Sequence, residues 1–273
     1  YNVRFVRVER GHLAAGWRQS VRAYELRDGP YGVGRKLGYV YVELSSPRRL
    51  LFPEETLPPG ALLVCPGHCF LHMHFQSASL GSTKLLNIEE ATMLAHELGH
   101  AVHMLCHGGS TQDFLDQPLD LLELPSTLAE TIALHPNVIA QYARHHASGG
   151  PPPDNLARSC HLASAYNLIR ILQYTKVALG LHGPAFDAAD ATPDDLRRTA
   201  VALWQRYSPV AAHPDFTPLG EDAGVYLAVG ANHVAYLLCH LRVDAILHSG
   251  TRKGAAASGK ADGRIQEAAQ RWL

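Results

Sequence analysis

Between Ile88 and His107 the apolar residues Met93, Leu94, Leu98, Ala101, Val102 and Leu105 recur mostly three or four positions apart. That spacing gathers side chains on the sides of a helix, and the run predicts one continuous helix. Asn87 and Glu90 mark its start, as the reciprocal pair of an N-cap and capping box. Gly108-Gly109 marks its end, since glycine readily takes the left-handed conformation that closes helices. Residues 3–75 follow another rhythm. Val3 to Val8, Tyr39 to Leu44 and Leu62 to Val64 read as short strands, punctuated by Gly29-Pro30 and Pro58-Pro59-Gly60. Beyond Ile88 the helical spacing continues, with breaks at Gly108-Gly109, 149–154, Gly183-Pro184 and 208–218. Residues 251–263 are rich in Gly, Ala, Ser and Lys, the composition of a mobile linker before a last short helix. No internal repeat is visible. The expected fold class is α+β, predominantly helical, with a small sheet on the N-terminal side. Residues 1–250 are expected to form one folded body, sheet up to 86 and helices from 87, with 251–273 as an appendage.

The first helix carries the candidate chemistry. Residues 96–100 read His-Glu-Leu-Gly-His. Two histidines at i and i+4 stand one turn apart, so both rings can reach one metal ion, and Glu97 beside them can take a proton from an attacking water. The chain holds 17 His in 273 residues, so a core helix with stray imidazoles is the competing explanation. The capped amphipathic helix around the motif favours the metal. A catalytic zinc takes three protein ligands and keeps one position open. The stretch Asp120-Leu-Leu-Glu-Leu-Pro-Ser-Thr-Leu-Ala-Glu130 opens a second apolar-periodic segment, and either Glu123 or Glu130 can face the first helix. The bland alternative is a solvated surface carboxylate. Pro125 disfavours a helix interior, so a helix starting there leaves Glu123 at its edge. His103 and His107 are rival ligands on the first helix. Cys65, His68, Cys69, His72 and His74 form a further cluster that can be weighed as a zinc knuckle. The alternation of His72, His74 and Gln76 with Leu71, Met73 and Phe75 reads more simply as a strand with an exposed polar face.

The segment Leu94-Ala-His-Glu-Leu-Gly-His-Ala-Val-His103, followed by Asp120-Leu-Leu-Glu-Leu-Pro-Ser126, resembles the catalytic core of the thimet oligopeptidase, neurolysin and mitochondrial intermediate peptidase family. The resemblance implies a zincin-like catalytic region with His96, His100 and Glu123 as zinc ligands and Glu97 as general base. It implies that Asp120 is a carboxylate orienting a ligand histidine, and that His103 is not a ligand. Upstream, residues 38–44 and 61–65 look like strands of the family's small sheet, one lining the substrate cleft. Downstream, 135–146, 149–153 and 163–181 track its helices, so the resemblance covers residues 1 to about 245. A late segment departs from the family pattern. There the family carries a histidine and several tyrosines that bind the substrate carbonyl and the developing oxyanion. Here Tyr236 matches the last tyrosine, His233 replaces another, and Val229 and Val234 stand where tyrosines are usual. The family histidine falls on Gly224 or Pro218, depending on where a gap is placed.

The function implied is zinc-dependent hydrolysis of peptide bonds in short or unstructured peptides, including presequence processing, with Glu97, Tyr236 and His233 as catalytic groups. The rival is a catalytically impaired, peptidase-like subunit of a larger assembly, favoured by the altered late segment and opposed by the intact Glu97. The resemblance places the protein in the mitochondrial matrix, with the cytoplasm as the alternative. Composition adds only exclusions. A hydrophobic share of 47% allows a sizeable core, and a net charge of −1 shows no basic face for nucleic acid. No uninterrupted apolar run reaches the ~18 residues of a membrane span. Five widely spread cysteines do not make a disulfide framework. The chain opens on Tyr1, and relatives of the family are far longer, so a fragment is expected.

Overall fold

Strand-forming residues before position 75 build a twisted sheet, and capped amphipathic segments after position 87 build helices. The computed structural model describes residues 3–9, 21–29, 34–45, 60–75, 79–80, 83–183, 191–209, 211, 213, 218 and 232–252. Strands β1 (Val3–Arg7), β2 (Arg22–Asp28), β3 (Lys36–Ser45), β4 (Gly60–Cys65) and β5 (His68–His74) form a five-stranded sheet in the order β1-β2-β3-β5-β4. β3 and β5 run parallel, whereas the other neighbours are antiparallel. Short strands β6 (Ser79–Leu80) and β7 (Thr83–Lys84) pair with each other just before the first helix.

In the β3–β5 register Val40 pairs with Cys69, Val42 with Leu71 and Leu44 with Met73. The two-residue period of a strand puts all six on one face. Helix α1 (Ile88–His107) covers that face, bringing Ala101, Val102 and Leu105 against Val40, Cys69, Leu71 and Met73 in one buried core. Gly38 permits the closest approach. A Cβ there would lie 2.5 Å from the Gly67 carbonyl oxygen and 2.7 Å from Leu105 Cδ2. The start of α1 is fixed by Asn87, whose side chain accepts from the Glu90 amide at 2.8 Å, while Glu90 accepts from the Asn87 amide at 3.0 Å. Gly108 ends it in the left-handed conformation, φ 70°. The helix predicted from spacing and capping residues has these same limits.

After α1 come α2 (Thr111–Leu115), the single turn α3 (Leu119–Leu122), α4 (Leu124–Ala133) and α5 (Pro136–Tyr142). Then follow α6 (Leu156–Leu181), α7 (Pro193–Tyr207) and α8 (His233–Arg252). The chain divides into two compact units, Tyr1–Pro152 with Val243–Leu273, and Pro153–Arg242. In the first, Leu128 of α4 and Val243 of α8 form a small second core with Leu124, Ile132 and Leu247 beside it. In the second, Tyr174, Val177 and Ala178 of α6 pack on Ala200 of α7, with Trp204 edge-on to Tyr174 at 5.3 Å.

Three expectations need amendment. β2 is absent from the sequence reading, because Arg-Ala-Tyr-Glu-Leu-Arg-Asp carries little apolar signal. Of the polar face ascribed to β5, His72 is buried; the side chains of His74 and Gln76 lie outside the described residues. His72 is 3% accessible and Phe70 9%, while Cys69, Leu71 and Met73 on the other face are at 0%. β5 is an inner strand covered on both faces, so alternation there does not separate solvent from core. The helix also continues through Thr251 and Arg252, into the stretch expected as linker; 253–273 lie outside the described residues. The cysteine–histidine cluster forms no metal group among the described residues. His68 is instead held by Tyr41, whose hydroxyl lies 2.9 Å from its Nδ1. The five cysteines are free.

Candidate metal centre

His96 and His100 project from the same side of α1, their ring centres 4.9 Å apart and their planes 81° from parallel. Glu123 arrives from the junction of α3 and α4. Pro125 lies in the first turn of α4, where its missing N–H costs nothing, and this leaves Glu123 just outside the helix. Ser126, fully buried, donates its hydroxyl to the Glu123 carbonyl at 2.8 Å and to Glu123 Oε2 at 3.1 Å. Gly99, between the two histidines, lets this junction come close. A Cβ at Gly99 would stand 2.6 Å from Ser126 Cα and 2.8 Å from the Pro125 carbonyl oxygen, distances no side chain tolerates.

The result is a three-donor group. Glu123 Oε2 lies 3.4 Å from His96 Nε2 and 3.3 Å from His100 Nε2, and one donor atom from each residue falls within 4.8 Å of the others. A buried His–Glu hydrogen-bond network is the alternative to a metal site. Charge-assisted N–H···O bonds run about 2.7–2.9 Å, shorter than both separations. Ligand atoms about 2.0–2.2 Å from a tetrahedral zinc stand roughly 3.4 Å apart, which matches them. Two imidazole nitrogens and one carboxylate oxygen also form a known catalytic zinc set. The local field agrees. Burial alone would push the His96 imidazole down, but hydrogen bonds and charge from Glu123 and Glu130 overcome it and hold the ring up at about 9. Burial would raise the Glu123 carboxyl, yet His100 and His96 hold it well below the usual carboxylate range. A site that draws a proton to its centre favours a cation there.

Glu130, weighed above as a rival ligand, stands behind the site. Its Oε2 lies 3.3 Å from His96 Nδ1, on the ring nitrogen opposite the donor group. That is how carboxylates commonly orient a ligand imidazole. Asp120 sits on α3, three residues before Glu123 and partly buried. Glu97 is partly buried between the two histidines on α1. Burial first, then the Glu97 charge, pushes the Cys69 thiol up to about 12. His103 and His107 do not join the donor group among the described residues. His233 and Tyr236 lie in the first turns of α8, within the second unit. The His233 ring stacks on Tyr174 at 5.6 Å and tilts against Tyr236 at 5.9 Å, and burial lowers its pKa. Gly224 and Val229 lie outside the described residues.

The model of Peptidase family M3 matches residues 1–219. The chain belongs to that family. Over 225 residues, 78% of this chain, it is 26% identical to the mitochondrial intermediate peptidase of Neurospora crassa, of which the match covers 26%. It is 36% identical over 96 residues to the dipeptidyl carboxypeptidase of Escherichia coli (strain K12), 34% of this chain and 14% of that protein. The Arabidopsis thaliana mitochondrial intermediate peptidase is 32% identical over 139 residues, 45% of this chain and 19% of that protein. The matches thus span about a quarter or less of the length of these relatives. M3 members are metallopeptidases, and His96, His100 and Glu123 form a group able to hold a metal ion.

Sequence spacing located the ligand candidates but did not place Glu130 against His96 Nδ1. Its signal was present, since Glu130 lies seven residues after Glu123 and two turns carry it to the same side of a helix. Glu130→Ala is expected to weaken zinc binding about 10- to 100-fold while leaving the fold intact. Competition titration against a chromophoric chelator measures this, and wild-type affinity in the variant would remove Glu130 from the site.

Proposed function

We propose that this chain carries the centre of a zinc-dependent peptidase, with His96, His100 and Glu123 holding one Zn2+. The observation that supports it is the convergence of two imidazole nitrogens on one carboxylate oxygen at tetrahedral ligand spacing. A bound zinc would supply Lewis acidity, making water a better nucleophile at neutral pH and polarising the scissile carbonyl. The chain's own residues do the rest. Glu97 takes the proton of the attacking water and passes it to the departing amine nitrogen. Glu130 holds the His96 ring through Nδ1, Ser126 fixes the Glu123 carboxylate, and the family resemblance alone supports Asp120 as a carboxylate that orients a ligand histidine. The names of the relatives support a peptide substrate and a mitochondrial location; short or presequence-type peptides and the matrix are the finer substrate and compartment proposed, on the family resemblance. No helix among the described residues is long and apolar enough to cross a membrane. Neither the fold nor the comparisons support the impaired-subunit alternative.

The test is elemental analysis for one zinc per chain together with cleavage of an unstructured peptide by the zinc-loaded protein. Absence of both under controlled metal loading sinks the proposal. The resemblance alone supports Tyr236, with His233, as donor to the developing oxyanion. Such a contact is made mainly in the transition state, so Tyr236→Phe is expected to lower kcat about ten- to a thousand-fold with KM little changed. Unchanged kinetics would take Tyr236 out of the mechanism.

A further inference from the structure

Strands β4 and β5 are joined by a two-residue turn, Pro66-Gly67, in which Gly67 takes the left-handed conformation, φ 78°. Proline first and glycine second is the pattern of a type II turn. The turn leaves Cys65 and His68 directly paired across the hairpin. Residues paired in this way carry their side chains on one face, with Cβ atoms about 5 Å apart. Cys65 is exposed and its thiol is free. β4 is the outermost strand of the sheet, and Pro66 at the hairpin tip is exposed as well. The His68 ring has a fixed orientation. It stacks on Tyr41, 5.8 Å between centres with planes 7° apart, and on Tyr39 at 5.4 Å. The Tyr41 hydroxyl lies 2.9 Å from His68 Nδ1, so Nε2 is the nitrogen that can bind a further group. An imidazole tied through one nitrogen is the usual form of a metal ligand.

We propose that Cys65 and His68 form half of a structural zinc site, completed by the same two residues of a second copy of this chain. The donor set calls for the second copy. Sulfur and imidazole nitrogen suit zinc, and a structural zinc takes four protein ligands, two Cys with two His being a common set. One hairpin supplies two, and no third histidine, cysteine or carboxylate joins them among the described residues. A two-fold axis through the metal presents the pair twice, the self-complementary arrangement of most homodimers. Each Cys65 thiol gives its proton to the solvent as it binds, and the two thiolates balance the charge of the ion. The competing role is a hairpin in which the Tyr41–His68 contact only stiffens the sheet.

The 273-residue chain, reduced and freed of metal, is titrated with Co2+ and separately with Zn2+. Near-ultraviolet absorption follows the cobalt, and light scattering follows the molecular mass. Thiolate bound to cobalt gives an intense charge-transfer band that a nitrogen and oxygen site cannot give. The band therefore reports Cys65 and not the His96, His100 and Glu123 group. It is expected to saturate at one cobalt per two chains, with a dimer that forms alongside it and dissociates when chelator is added. Cys65→Ser should abolish both band and dimer, and His68→Phe the dimer, whereas Cys106→Ser, at the other exposed thiol, should change neither. Tyr41→Phe keeps the ring but loses the tie on Nδ1, and should weaken metal-driven dimerisation about 10- to 100-fold. His96→Ala should dimerise as wild type does, so failure of the three-donor centre would leave this site standing. A chain that stays monomeric in saturating zinc overturns the proposal. So does a band without a dimer, or a dimer that survives chelator or still forms in Cys65→Ser or His68→Phe.

Discussion

Glu97→Gln is expected to lower kcat of the zinc-loaded protein by about 10^2- to 10^4-fold, the usual contribution of a positioned acid–base group, with zinc content and thermal stability unchanged. The amide keeps the shape of the carboxylate but cannot accept a proton at neutral pH. The donor atoms of His96, His100 and Glu123 are untouched by it, because Glu97 lies outside the three-donor group. KM should move little, since Glu97 acts on the water and not on substrate binding. The measurement is a peptide-cleavage assay on protein whose zinc occupancy is checked by elemental analysis before and after. Turnover near wild type in a fully loaded Glu97→Gln protein would assign the base to another residue. A large activity loss accompanied by zinc loss would show Glu97 serving the metal site and not the proton transfer.

The features legible in the sequence are those written locally. Asn87, Glu90 and Gly108 fix both ends of α1 through contacts within a few residues, and Pro125 announces the start of α4 because proline excludes most other helix positions. The pairing of His96 and His100 on one side of α1 follows from helical spacing alone. Features that depend on what lies across the fold were not legible. His72 looks solvent-facing in a strand pattern, yet it is buried at 3% exposure on an inner strand. Gly99 reads as a mild helix defect until Ser126 and Pro125 are found against it. Glu130 and Glu123 were interchangeable as ligand candidates in sequence, and only the packing of α4 on α1 turns one to Nε2 and the other to Nδ1 of His96. The division after Pro152 has no sharp compositional mark beyond the proline run that contains it.

Glu123→Ala is expected to weaken zinc binding by at least roughly 100-fold. Zinc in four-ligand structural sites is bound with about 10–16 kcal/mol in all, about 3 kcal/mol per ligand, and each 1.4 kcal/mol is a factor of ten. The loss here should exceed that figure, because Glu123 is the negative charge shared by both imidazoles, at 3.4 and 3.3 Å. Removing it also strips Ser126 of one acceptor in a fully buried setting, so a modest loss of thermal stability should accompany the loss of metal. Glu123→Gln separates the two effects, since the amide oxygen still accepts from Ser126 but is a poorer zinc ligand. It should recover stability and leave affinity low. Copper outcompetes zinc at most nitrogen and oxygen sites, so the titrations need metal-free buffers with zinc as the sole transition ion. The decisive comparison is with Glu130→Ala. The geometry requires the larger loss at Glu123 and the smaller at Glu130, because one carboxylate faces the donor nitrogens and the other braces the ring from behind. Full affinity in Glu123→Ala, or a larger loss in Glu130→Ala, would exchange their roles and make Glu130 the third ligand.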